Sequence, residues 1–81
     1  MQIQFERRAR RDVVNLSRVD AGAVLAAIES FATTGTGDVK KLRGQEPPMW
    51  RLRVGRWRVL YHLEGTTIVV ERVGDRRDVY R

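Results

Sequence analysis

An 81-residue chain is long enough for one domain with an adequate but not generous core. It has no cysteine and one histidine, His62, which excludes a disulfide framework, a cysteine-rich metal site and a conventional zinc site. Sixteen Lys and Arg stand against ten Asp and Glu, a net charge of +6, so the partner to expect is a polyanion, most often nucleic acid, or an acidic protein segment.

The chain opens MQIQFE, without a charged region leading into an apolar one, and has no run of about 18 apolar residues. A cytoplasmic protein without membrane contact is expected. MQIQF alternates, with Ile3 and Phe5 on one side, and reads as a short strand. A polar helix over Glu6–Ser17 follows, with the apolar stripe Phe5, Ala9, Val13 and Leu16 and with Arg7, Arg8, Arg10, Arg11 and Arg18 mostly outside it. Asp20 is the expected N-cap of a second helix whose core face is Ala21, Val24, Leu25, Ile28, Phe31 and Ala32. TTGTG (33–37) stops that helix. DVKKLRGQEPP (38–48) reads as a connecting loop anchored by Val39 and Leu42.

The charge is uneven. Residues 1–40 carry a net +1 and residues 41–81 a net +5, and all but two of the basic residues, Lys40 and Lys41, are Arg. Arg presents a planar fork that matches phosphate. A GC-rich coding preference would also enrich Arg, so composition leaves both readings open.

The second half reads as a three-stranded antiparallel meander: Met49–Val54, a Gly55-Arg56 turn, Trp57–Leu63, a Glu64-Gly65 turn, and Thr66–Val73. The first turn pairs Val54 with Trp57, Arg53 with Arg58, Leu52 with Val59, Arg51 with Leu60 and Trp50 with Tyr61. Alternation then puts Trp50, Leu52, Val54, Trp57, Val59 and Tyr61 on one face, suited to receive both helices. The other face carries Arg51, Arg53, Arg58, Leu60 and His62. The second turn is expected to pair Tyr61 with Ile68, Leu60 with Val69, Val59 with Val70 and Arg58 with Glu71, so that Glu71 neutralises part of the cluster. The first strand is expected to join the antiparallel sheet of the meander. An arginine-rich outer face can be a solvated surface that discourages edge pairing. Directly opposed arginines, however, are unfavourable unless an anion relieves them. The C-terminal ERVGDRRDVYR adds Arg72, Arg76, Arg77 and Arg81 beside Tyr80, a combination that can hold phosphate and stack a base, although Tyr80 could equally be tucked against the core.

KKLRG (40–44), WRLRVGRWRVLY (50–61) and VGDRRDVYR (73–81), in this order and at these separations, resemble the RelE/ParE toxin superfamily of bacterial toxin–antitoxin systems. The resemblance covers nearly the whole chain. It implies one RelE-like toxin domain over residues 1–81, of α+β class: strand–helix–helix–three-stranded antiparallel meander, with the helices packed on one sheet face. It also implies a ribosome-dependent endoribonuclease that cuts mRNA in the A site. There the 2′-hydroxyl attacks the adjacent phosphate, leaving a cyclic phosphate and a 5′-hydroxyl. By the resemblance, Arg51, Arg53, Arg58 and Arg76 are the catalytic set. Arg58 would stabilise the transition state, and Arg76 would donate a proton to the leaving group or stabilise it. Tyr80 would stack on a base, with Arg77 and Arg81 beside it as substrate-binding residues. Such chemistry requires no metal and no cofactor, only geometry and positive charge.

The sequence departs from the family at the base: familiar members carry lysines where Arg51 and Arg53 stand, and Arg stays protonated. His62, with an ordinary pKa near neutrality, is a further candidate. The alternative function is that of ParE-like members, which inhibit DNA gyrase without cutting RNA, or of an inactive binding module with the same fold. Every family reading implies an acidic cognate antitoxin that covers the basic face or wraps the helices, with DNA contacted only indirectly through the antitoxin. Leu60 and Val69, apolar on the outer face, are either antitoxin contacts or buried beneath the C-terminal segment.

Overall fold

The structure, a computed structural model, describes residues 1–77 and 79. The chain forms β1 (Gln2–Phe5), α1 (Arg7–Val14), α2 (Arg18–Thr34), β2 (Asp38–Lys41), β3 (Trp50–Val54), β4 (Trp57–Glu64) and β5 (Thr67–Asp75). One five-stranded sheet results, in the order β1-β5-β4-β3-β2. This is the expected α+β class, with a longer sheet than the sequence suggested.

Both helices pack on one face of the sheet. Ala9 of α1 and Val24, Ile28, Phe31 and Ala32 of α2 meet Leu52, Val59, Tyr61, Ile68, Val70 and Val73. The rings of Phe31 and Tyr61 lie 5.6 Å apart and tilted by 55°. Trp50, Val54 and Trp57 border this core, so the β3–β4 face assigned from alternation is the core face. Leu25, expected inside, remains 37% exposed. α1 ends at Val14, earlier than expected. α2 begins one turn early, because Ser17 and not Asp20 is its N-cap: the Ser17 hydroxyl accepts from the Asp20 amide at 3.1 Å, a cap worth about 1 kcal/mol. Gly35, at φ 73°, closes α2 in the left-handed conformation that favours glycine.

Three expectations about the sheet are corrected. First, residues 38–41 are a strand, not loop. Four residues with one apolar member, Val39, carry almost no period-2 signal, yet β2 pairs antiparallel along β3. Second, β1 joins the sheet beside β5 and parallel to it. The helices carry the chain over one face from the β1 edge to the β2 edge. Third, β4 and β5 pair in a different register. Glu64 faces Thr67, so the turn is Gly65-Thr66 with Gly65 at φ 59°, the same glycine-first arrangement as Gly55-Arg56. A bulge between Leu60 and Tyr61 then shifts the phase again, and Arg58 faces Gly74 rather than Glu71.

The outer face of the sheet is not bare. Leu60 and Val69 are 8% and 1% exposed, which favours burial over antitoxin contact for both. After β5 the chain turns back, with the Val79 amide donating to the Asp75 carbonyl at 3.1 Å. Val79 packs against Gly74, where a Cβ would already stand 3.4 Å from that of Val79.

Candidate functional site

Strand pairing orders the outer face into rows. One row runs Asp38–Arg53–Arg58–Gly74 and the next Lys40–Arg51–Leu60–Arg72, each across β2, β3, β4 and β5. Arg53 and Arg58 are therefore direct cross-strand neighbours, and Arg51 stands two residues along β3. Arg53 is exposed, but Arg58 is only 7% exposed. The Arg58 guanidinium folds back on the hairpin and donates from Nη1 to the carbonyls of Gly55 at 2.9 Å and Trp57 at 3.1 Å. Among the described residues, no carboxylate lies within ion-pair distance of Arg53 or Arg58. Arg51 donates from Nη2 to Asp38 Oδ1 at 3.3 Å, while its Nε is buried without a partner. A nearly buried cation held only by neutral carbonyls, opposite Arg53 and near the idle Nε of the Asp38-paired Arg51, is a concentration of positive charge that the described carboxylates neutralise only in part. Its natural ligand is an anion with several acceptor oxygens.

The end of β5 borders this cluster. Arg56, at the β3–β4 turn, donates from Nη2 to Asp75 Oδ2 at 2.6 Å and stacks 4.9 Å from the Trp57 ring. Asp75 also accepts from the Arg77 amide at 3.3 Å. These bonds, the Arg56 pair foremost, hold the Asp75 carboxyl below its ordinary pKa and raise that of Arg56. Arg76 and Arg77 follow, both exposed. Tyr80 and Arg81 lie outside the described residues.

His62 sits on the same face of β4, but about 13 Å along the strand from Arg58 with Leu60 between them. Its Nε2 is 3.0 Å from Glu64 Oε1, and its Nδ1 is 2.6 Å from Glu71 Oε2, close but off the donor axis. Glu64 first and Glu71 second raise the His62 pKa against the opposing effect of burial. Glu71, expected against Arg58, thus serves His62. Asp38 is the acid nearest the arginine cluster in the strand pairing. Asp38 and Lys40 were missed as site residues because the segment that carries them read as loop. Asp12 was also missed: from α1 it accepts from Arg72 Nε at 2.8 Å and from the Val73 amide at 2.9 Å.

A second feature lies on the helices. An open apolar groove of about 280 Å³ is lined by Phe5, Arg10, Val13, Val14 and Leu25. Val14 is 80% exposed there. Arg7, Arg8 and Arg11 share α1 with Arg10, and no acidic residue occupies the first turn of that helix.

The comparisons agree with this architecture. The family model described as the ParE toxin of type II toxin–antitoxin systems matches residues 3–80. The toxin–antitoxin complex RelBE2 of Mycobacterium tuberculosis contains a similar chain, 30% identical, with a TM-score of 0.77 over 93% of this chain and 96% of that one. The RelB–RelE complex of Methanococcus jannaschii gives 23% identity and a TM-score of 0.77, covering 95% and 94%. The isolated RelE toxin of Escherichia coli gives 20% and 0.76, covering 98% and 89%. No curated protein matches the chain in sequence. With the family model spanning almost the full length and the fold in agreement, this chain belongs to the ParE toxin family of type II toxin–antitoxin systems, within the RelE/ParE superfamily.

Proposed function

We propose that this toxin is a metal-independent, ribosome-dependent endoribonuclease that cleaves mRNA in the A site. The observation that carries this reading is the pooling of Arg51, Arg53 and Arg58 on one sheet face, with Arg58 nearly buried and no carboxylate paired with Arg53 or Arg58 among the described residues. In-line attack by a 2′-hydroxyl needs a held phosphate and charge stabilisation of a phosphorane, and it needs no protein nucleophile. In this mechanism Arg51 and Arg53 hold the scissile phosphate. Arg58 stabilises its added negative charge, already desolvated and fixed by the Gly55 and Trp57 carbonyls. Arg76 neutralises the departing 5′-oxygen, and Tyr80, Arg77 and Arg81 hold the neighbouring nucleotides. His62, engaged by Glu64 and distant from Arg58, is a weaker candidate for the base. The proton of the 2′-hydroxyl is then left to water or to the ribosome.

The partner is an acidic cognate antitoxin. An apolar groove rimmed by Arg10 on an arginine-rich helix fits one amphipathic helix with a leucine-type face and acidic flanks. A second reading, DNA gyrase inhibition without cleavage, is favoured by the family model, which is that of ParE.

Primer extension on a defined mRNA in a programmed ribosome tests the two. New ends within the A-site codon, absent on free mRNA, establish the endoribonuclease. Growth arrest without cleavage transfers the assignment to gyrase.

A further inference from the structure

β5 outruns its neighbour. β1 pairs with Thr67–Val70 only, and its last bond to β5 is from the Glu6 amide to the Val70 carbonyl at 2.9 Å. Beyond Val70 that edge of β5 has no strand beside it among the described residues, and α1 packs there instead. The Val73 amide, which a longer β1 would have engaged, donates to Asp12 Oδ2 at 2.9 Å. The same carboxylate takes Arg72 through Nε at 2.8 Å and, at 3.5 Å, Nη2. The Asp12 and Arg72 side chains are 19% and 23% exposed, so the pair is largely shielded from water.

Arg72 and Val73, the two residues Asp12 holds, are the ones on which the phase of β5 turns. The register Tyr61–Val70 changes to Leu60–Arg72 across the bulge, with Glu71 as the extra residue. Carried on without the bulge, the earlier register would set Arg72 opposite Val59 in the core and Val73 opposite Arg58 on the outer face. With the bulge, Val73 enters the core at 2% exposure, and Gly74 and Asp75 come opposite Arg58 and Trp57. Asp75 then engages Arg56, and Arg76 and Arg77 follow directly, two and three residues beyond the Gly74 that pairs with Arg58.

We propose that Asp12 is a positioning residue of the basic face: by holding Arg72 and the Val73 amide it fixes the bulged phase of β5 and so sets where Arg76 and Arg77 leave the sheet, just beyond the Gly74 paired with Arg58. This role rests on the endoribonuclease reading for its effect on rate, though not for its effect on β5. Asp12→Ala removes both acceptors. Asp12→Asn keeps an oxygen for the Val73 amide but cannot pair ionically with Arg72.

The test measures A-site cleavage at saturating programmed ribosome, together with amide hydrogen exchange on the full chain. For Asp12→Ala the expected result is a folded protein whose maximal rate falls about tenfold or more. The ribosome concentration for half-maximal rate should rise by a smaller factor than the rate falls, because Arg51 and Arg53 remain in place although Arg77 shifts. Protection should be lost selectively at Val73–Asp75, and Asp12→Asn should recover most of both losses. A folded Asp12→Ala protein with the wild-type rate overturns the proposal, as does a rate loss with Val73–Asp75 still protected. Should Asp12→Ala fail to fold, Asp12→Asn is judged alone by the same two readouts, with a smaller expected loss. Absence of cleavage by the wild type overturns the endoribonuclease reading only; exchange then decides, and unchanged protection at Val73–Asp75 in Asp12→Ala overturns the proposed placement.

Discussion

Arg53 on β3 lies directly opposite Arg58 on β4, and the second of these is nearly buried. Like charges so placed oppose folding by a few tenths of a kcal/mol up to about 1 kcal/mol. Arg53→Ala should therefore stabilise the free protein slightly, raising its Tm by roughly 1–5 °C. It should also flatten the increase in Tm that sulfate or phosphate gives the wild type. Arg58→Ala should lower A-site cleavage about a hundredfold or more, as for loss of one preorganised donor. Thermal melts with and without added anion, alongside single-turnover cleavage, measure both. A wild-type protein indifferent to anion, with Arg58→Ala at full rate, removes the anion site from this face.

His62 supplies a pH dependence. Its pKa is raised in the folded protein, chiefly by Glu64 and then Glu71, above the ordinary value of 6.5. The protonated form is thus favoured by folding. Its contribution to stability is fully present below about pH 6.5 and is lost as pH rises through the folded pKa. His62→Gln should be less stable than wild type near pH 6 and equal to it near pH 9. Urea unfolding of both proteins at the two pH values measures this, and a gap that widens with pH contradicts the ion pairing.

Much of this molecule is legible in its residues, because period-2 alternation on β3 and β4 is unambiguous. The register of that hairpin follows from Gly55 alone, since only a glycine-first two-residue turn joins the strands. The same logic applied to Gly65 would have set the next turn at Gly65-Thr66. The bulge was also encoded: Ile68, Val70 and Val73 break alternation by one residue, and only an extra residue brings all three inside. β2 was not legible. Asp38, Lys40 and Lys41 have no strand preference of their own, and the strand exists because the β3 edge offers it hydrogen bonds. The acid and the lysine that border the arginine cluster were lost with it. Asp12 was illegible for a related reason: its partners are Arg72 and Val73, some sixty residues away, and nothing local marks it.

The groove on the helices gives a prediction about the partner. Val14 is 80% exposed and lines the groove with Leu25. Val14→Asp should leave the fold intact, with a stability change within about 0.5 kcal/mol. It should weaken binding of the antitoxin proposed above at least about tenfold, because it sets a carboxylate against the apolar face and acidic flanks of the helix proposed for this groove. Arg10→Glu should slow association more than it speeds dissociation. Titration calorimetry and stopped-flow mixing distinguish the two effects, and full affinity in Val14→Asp locates the antitoxin elsewhere.

Lys40 offers the sharpest distinction between holding RNA and cleaving it. It stands opposite Arg51 on the outer face, at the edge farthest from β5, and is exposed. A flexible ammonium there meets a phosphate as a point charge and not as a shaped fork. Its removal should weaken binding without disturbing the arrangement around Arg58. For Lys40→Ala, the slope of log affinity against log salt on a single-stranded RNA should fall in magnitude by about 0.7, the value for one lost phosphate contact. The maximal cleavage rate at saturating ribosome should stay within about twofold of wild type, since uniform binding does not enter that rate. Arg51→Ala should reduce both quantities, because among the described arginines of the site Arg51 alone brings a buried and unpartnered Nε. If Lys40→Ala abolishes the maximal rate while leaving the salt slope untouched, the lysine is acting on the reacting atoms, and the deprotonation of the 2′-hydroxyl should then be assigned to β2 rather than to water or the ribosome.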